Sequence, residues 1–403
     1  MFEEIKSGQQ ENQYFIDYHN LSLNEIVSEV IDRKFKYYER RDEFRKLSSQ
    51  VGIEISRVQP VERDAGECLA VGIDASFEEV FSDYSGIRLY YVSSGSFALS
   101  YPRPSEYDYE DGGRSFGSVF VFGEQDEMSV VVRACAVMSE FFETYAFIKY
   151  VKDNGLEEKM GPIIIDGSVK TKITAINQAS SFLRDYFREF KAEDYERIED
   201  LIVNAGVRPK ASSLYFFYFN FLTFLRVFAF LIENYSDYIF FIPKRSSDDD
   251  FKEFFKGRVE SLESKDSLGG FDIDVRDMEF LYSVLGVGEY VCVPINSRSY
   301  RVASQIQTKT QEIYELIQKV DRLVNSGKVV YLKAGDGLIK KIETWGNGFQ
   351  RFGDIIYNSF FLGNESFFVR EGERVARMLG RDIKRVRNLL KAFDYRSSYG
   401  MEG

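Results

Sequence analysis

A chain of 403 residues with 44% hydrophobic content has enough apolar sequence for a sizeable core, in one large α/β domain or two to three small ones. A net charge of −12 excludes a protein that coats nucleic acid through general basicity, but leaves room for a local basic track beside an acidic site. Three widely spaced cysteines, Cys68, Cys135 and Cys292, suggest neither a disulfide framework nor a zinc cluster, and a reducing cytoplasm is the expected compartment.

The first residues lack a basic region followed by an apolar one, so no secretory signal is expected. The only histidine, His19, lies in a polar stretch with no period, which makes His-dependent catalysis a poor expectation. Leu21 to about Leu47 reads as an amphipathic, largely solvated helix, and residues 1–60 are expected to form an N-terminal helical arm. The apolar run Leu69–Ile73 then leads into Asp74-Ala75-Ser76 and reads as a core strand with a carboxylate at its end. A strand from Ile87 towards Leu99, an acidic loop from Tyr101 to Arg114, and a strand at Ser118–Phe122 predict a long hairpin. A helix over about Val131–Val151 follows, with Val137, Phe141, Tyr145 and Ile148 on one stripe.

Gly161-Pro162-Ile163-Ile164-Ile165-Asp166-Gly167-Ser168 is the most informative stretch. Three Ile with no polar alternation suit a central strand covered on both faces, and the run ends in a second Asp-small-Ser. Each pattern alone would pass for a turn or a helix cap. The order of strand with Asp, two antiparallel strands, helix, strand with Asp predicts a ribonuclease-H-like arrangement, with the two Asp-bearing strands adjacent and parallel. The fold class expected is α/β: a mixed sheet flanked by helices.

Helical patterning recurs around 179–190 and 195–203. Leu214–Ile232 has the length of a membrane span, but Asn220 and Arg226 interrupt it, and a buried helix is expected instead. A strand at Tyr238–Pro243 runs into a basic loop, Lys244 to Asp248, suited to a phosphate. The last third predicts a helix at Asp277–Leu285, a strand at Tyr290–Pro294, a helix at Ala303–Leu323 and a strand pair at Val329–Lys333 and Leu338–Ile342. A C-terminal helical extension, Arg370–Lys391, would place Arg370, Arg374, Arg377 and Arg381 on one face. Most of the 26 Tyr and 37 Phe sit in apolar runs and are assigned to the core, although aromatics can also stack single-stranded bases.

Two aspartates on adjacent strands plus a helix carboxylate would bind Mg²⁺ or Mn²⁺ through oxygen ligands and support phosphodiester hydrolysis. Glu143 is the helix acid chosen, because it lies between Phe142 and Tyr145 near the apolar stripe; Glu140, one turn earlier, is the alternative.

Val71-Gly-Ile-Asp-Ala-Ser76, Gly86-Ile-Arg-Leu-Tyr-Tyr-Val92, Ile163-Ile-Ile-Asp-Gly-Ser168, Phe241-Ile-Pro-Lys-Arg-Ser-Ser247 and Gly286-Val-Gly-Glu-Tyr290 resemble, in this order, motifs of the NurA nucleases. The resemblance covers about residues 65–380 and, with it, residues 61–395 are expected to form a NurA-like domain whose ribonuclease-H-like core spans about 65–250. It implies a manganese-dependent (or magnesium-dependent) nuclease acting on DNA ends and single strands, of the single-strand endonuclease and 5′-3′ exonuclease type. It also implies a homodimer and partnership with the HerA hexameric translocase in end resection, with no membrane. By resemblance, Asp74 and Asp166 would be metal ligands, Glu143 the helix glutamate, and Lys244 and Ser246 phosphate contacts. The family's late histidine is missing from the corresponding segment, about Gly363–Ala376, where Glu371 or Glu373 would have to substitute. The rival expectations are a catalytically weakened NurA-like subunit that docks on a translocase, and a ribonuclease-H-like enzyme acting on RNA or branched DNA.

Overall fold

The computed structural model describes residues 38–60, 68–82, 88–101, 115–122, 128–182, 213–244, 249–260, 276–295, 311–361 except 336, and 365–378, with single residues 25, 28, 32 and 388. A nine-stranded mixed sheet, in the order β1-β7-β8-β9-β6-β5-β2-β3-β4, forms its centre. The strands are β1 (Ile55–Arg57), β2 (Cys68–Ser82), β3 (Arg88–Tyr101), β4 (Ser115–Phe122), β5 (Met160–Asp166), β6 (Ile239–Ile242), β7 (Glu289–Pro294), β8 (Lys328–Lys333) and β9 (Ile339–Thr344). β5 pairs parallel with both β2 and β6, and every other pairing is antiparallel. The expected hairpin and the expected parallel neighbours are both present.

The central strands are covered on two faces, which is why β5 is apolar without alternation. Val71, Ile73, Ile163, Ile165 and Phe241 point into the larger core, under α2 (Met128–Asp153), α3 (Val169–Phe182) and α4 (Ser213–Tyr235). Ala70, Ile164, Phe240 and Ile242 point the other way, under α8 (Gly348–Asn358) and α9 (Phe367–Met378). In α2 the buried residues include Ala134, Met138, Phe141 and Ile148, whereas Tyr145 is 42% exposed and packs its ring on Phe230. α4 buries Phe221, Phe224, Leu225 and Phe228 while Arg226 faces solvent. No helix among the described residues is long and apolar enough to cross a membrane.

Some elements were not apparent from periodicity, and others differ in extent or packing from what it suggested. α1 (Arg41–Gln50) and β1 fall within the expected arm but belong to the body: Phe44 is fully buried against Phe251, Phe255 and Phe280, and β1 extends the sheet beside β7. α5 (Asp250–Glu260) and α6 (Asp277–Val284) are locked by Asp277, which accepts the Phe251 and Lys252 N–H groups and the Tyr331 hydroxyl. α7 (Gln311–Asn325) overlaps the predicted Ala303–Leu323 helix and runs two residues past its end. The helical patterns at 183–190 and 195–203 fall outside the described residues.

α9 contains the first part of the expected C-terminal helical extension. It lies directly on β2 and β3, and three glycines permit that approach. A Cβ on Gly72 would stand 1.9 Å from the Phe368 carbonyl oxygen, one on Gly95 2.5 Å from Ala376 N, and one on Gly372 2.9 Å from the Gly72 carbonyl oxygen. Ser93 Oγ fastens the contact by donating to the Ala376 carbonyl at 2.9 Å. Gly72→Ala is expected to push α9 off the sheet and lower the unfolding free energy by about 1–3 kcal/mol, read from urea denaturation; an unchanged midpoint would contradict this packing.

Candidate active site

The parallel ladder of β2 with β5 ends at Ile73 opposite Ile165, and the next residue on each strand is an aspartate. Asp166 closes its strand, but Asp74 does not: β2 runs on to Ser82 as one arm of the hairpin with β3. What terminates at Asp74 is the pairing with β5. Alternation places both aspartates on the face that carries α9. Gly167, at φ 80°, then turns the chain, and Ser168 caps α3 by accepting the Thr171 N–H at 3.1 Å. Because the serine performs the capping, Asp166 is released from it. Its Oδ1 is buried with no hydrogen-bond partner.

Asp74 is 6% exposed and accepts the Ala75 N–H at 2.7 Å. Its carboxyl is pushed up to about 8, first by burial and then by the charges of Asp166 and Glu140. Burial also raises Asp166, against the opposing pull of Lys172 and Lys244. Glu140, on α2, is buried and paired with Lys172 from the first turns of α3; burial carries it up to about 7 despite that ammonium. Glu343 fixes this end of α3 from the sheet, since its Oε2 accepts the Val169 N–H at 2.7 Å and its Oε1 meets Lys341 at 3.1 Å.

Glu143 is also buried, and its Oε1 accepts the Ser96 hydroxyl at 2.6 Å. Ser96 lies opposite Ile73 on β3, so Glu143 is tied to the hairpin, whereas Glu140 acts electrostatically on both aspartates. Lys244, expected as a phosphate contact, sits among carboxylates: 3.6 Å from Asp166 Oδ2, 2.8 Å from Glu365 Oε1 and 3.0 Å from Glu373 Oε2. Burial by itself would lower its pKa, but these carboxylates together more than offset that and raise it above its ordinary value. Glu373 is therefore one lysine away from Asp166. Arg370, Arg374 and Arg377 are exposed on α9 and paired with that helix's own acids, Arg370 at 3.4 Å and Arg374 at 2.6 Å from Glu371, and Arg377 with Glu373. Ser246, Arg381 and His19 lie outside the described residues.

Lys172 and Glu365 escaped sequence reading. The only signal for Lys172 was a lysine one turn past the Ser168 cap; for Glu365 there was a glutamate in the segment where the resemblance leads one to look for a late ligand. Among the described residues, no three His, Cys, Asp or Glu side chains already converge as a metal-ligand set. The donor chemistry fits a hard divalent cation nonetheless: Asp74, Asp166 and Glu140 are buried or nearly so, all are raised by burial, and Asp166 has an oxygen without a partner.

No protein-family model matches the sequence, and no curated protein matches it either. The structure is similar to the crystal structure of the NurA nuclease from Sulfolobus solfataricus, with a TM-score of 0.51 at 12% identity over 95% of this chain and 99% of that one. The chain has the NurA fold. Two further crystal structures with this fold are similar at 12% identity: NurA with manganese, TM-score 0.47 over 92% of this chain and 97% of that one, and NurA bound to dAMP and manganese, TM-score 0.46 over 88% and 92%.

The sign of the pH dependence follows from the acids. The folded chain holds Asp74 protonated to about 8 and Glu140 to about 7, above their ordinary values of 3.8 and 4.5, so it binds more protons than the unfolded chain in that window and loses stability as pH rises through it. Asp74→Asn is expected to stabilise the protein in EDTA at about pH 8, by on the order of 1 kcal/mol, and less at about pH 5. Thermal denaturation at the two pH values measures this, and destabilisation at the higher pH would contradict the burial of a strained charge.

Proposed function

We propose that this chain is a divalent-metal-dependent deoxyribonuclease, with Asp74, Glu140 and Asp166 as the residues that would hold Mn²⁺ or Mg²⁺. One observation carries the reading: in a NurA fold, three carboxylates act on one another where the β2–β5 ladder ends, and burial raises the pKa of each. The five strands β4-β3-β2-β5-β6, with the first acid strand beside the second, support a ribonuclease-H-like core for it. A bound divalent ion would supply Lewis acidity towards the phosphodiester and lower the pKa of the attacking water.

The chain's own residues do the rest. Lys172 favours the ionised form of Glu140, Gly167 and Ser168 hold Asp166 clear of the helix cap, and α9 covers the acids on the hairpin side. Lys244 offers an ammonium beside Asp166 that a phosphate would compete for. Action on single strands and ends, resection with a HerA-like hexameric translocase, and a homodimer are parts of this proposal that rest on the NurA likeness. The second reading, a weakened docking subunit, is favoured by one observation: Lys172 and Lys244 already neutralise the acids, with Glu365 and Glu373 in the segment where the resemblance looks for a histidine.

The test is degradation of end-labelled single- and double-stranded DNA with Mn²⁺, Mg²⁺ or EDTA, comparing the wild type with a folded Asp166→Asn variant. We expect metal-dependent cleavage that the substitution lowers about 100-fold or more. A folded wild type that cleaves neither DNA under any metal would leave the docking reading in its place.

A further inference from the structure

β9 is buried along its whole length, yet it carries Lys340, Lys341 and Glu343. Lys341 and Glu343 are two residues apart and so share the face of the larger core, where Ile339 and Trp345 also point. There Lys341 Nζ stands 3.1 Å from Glu343 Oε1 and 2.8 Å from Asp250 Oδ2, on the first residue of α5. Stability alone does not account for this buried triad. Desolvation of three charges opposes their attraction, and apolar residues of similar volume commonly replace buried ion pairs without loss.

Its place in the sheet accounts for it better. Glu343 lies in one cross-strand row with Phe241, Ile165 and Ile73, the row that closes the β2–β5 ladder one residue before Asp74 and Asp166. From that row its other oxygen, Oε2, accepts the Val169 N–H at 2.7 Å, the first N–H of α3. Ser168 takes the Thr171 N–H at 3.1 Å. Two donors at the start of α3 are thus met without Asp166, whose Oδ1 keeps no partner. Without Glu343 the N–H of the buried Val169 loses its acceptor, and the turn from Asp166 to Ser168 is released to find another. Burial raises the Glu343 carboxyl and the Lys341 ammonium opposes that, while Asp250 holds the lysine from a helix whose next two N–H groups are taken by Asp277.

We propose that Glu343 is a positioning residue for Asp166, kept in register by Lys341 and Asp250. Its hydrogen bond to Val169 fixes the turn after β5, so that Asp166 presents an unpartnered oxygen to the cation. This deepens the nuclease reading and rests on it for the cation; the fixing of the turn stands apart from it.

The bond can be broken from either side in the full chain. Glu343→Leu removes the acceptor and leaves Lys341 paired with Asp250. Val169→Pro removes the donor at a first helical position, where proline is favoured. Glu343→Gln keeps an acceptor. We expect Mn²⁺ affinity, titrated by electron paramagnetic resonance, to fall about tenfold in Glu343→Leu and in Val169→Pro, to fall no further in the double variant, and to stay near wild type in Glu343→Gln. Backbone amide exchange in EDTA should quicken over residues 166–171 in the first two and not in the third. Should one substitution disturb the fold, the other breaks the same bond. Wild-type Mn²⁺ affinity in either folded variant overturns the proposal, and so do losses that add in the double variant or that Glu343→Gln shares. A wild type that binds no Mn²⁺ overturns the cation reading instead; amide exchange then decides the role of Glu343, and unchanged exchange overturns that too.

Discussion

The parallel pairing of β2 with β5 stops one residue short of two aspartates, and the remainder of the molecule is arranged around the charge left there. Asp74, Asp166 and Glu140 act on one another electrostatically where burial disfavours ionisation, and two ammoniums, Lys172 and Lys244, partly compensate. A hydrophobic core gains nothing from such a cluster, because neutralising Asp74 relieves repulsion and desolvation together. The fold sustains it by fixing the supports: Ser168 caps α3, Glu343 holds the Val169 N–H, and α3 in turn brings Lys172 to Glu140.

Close backbone approach is the second requirement. α9 reaches β2 and β3 only because residues 72, 95 and 372 lack a Cβ, and this approach brings Glu373 to Lys244 and so to the edge of the acid cluster. The helix that sequence alone suggested as an arginine-bearing C-terminal extension is thus a cover over the aspartates. Of the described arginines, Arg370 and Arg374 meet Glu371 and Arg377 meets Glu373, which offsets part of the positive charge they carry.

The sheet's centre was readable from sequence because the physics there is local. A run of Ile ending in Asp, Gly and Ser carries a buried strand, a turn at positive φ and a helix cap in eight residues, and the hairpin and crossover follow from the order of elements. β1, α5 and α8 were not readable, since a three-residue edge strand and short helices owe their existence to the partners they meet. The choice between Glu140 and Glu143 had the same limit. Both lie on the buried side of α2, three residues apart, and only tertiary contacts distinguish a glutamate that meets Lys172 from one that meets Ser96. Lys244 illustrates the converse, a residue whose position after a strand suggested a phosphate but whose neighbours are carboxylates.

Manganese titration followed by electron paramagnetic resonance goes most directly to whether Asp74, Glu140 and Asp166 form one cation site. The wild type should bind Mn²⁺, Asp166→Asn and Glu140→Gln should each weaken binding about tenfold or more, and Glu143→Gln should leave it nearly intact. Binding that is absent in the wild type, or equal in all four proteins, would contradict the site described here.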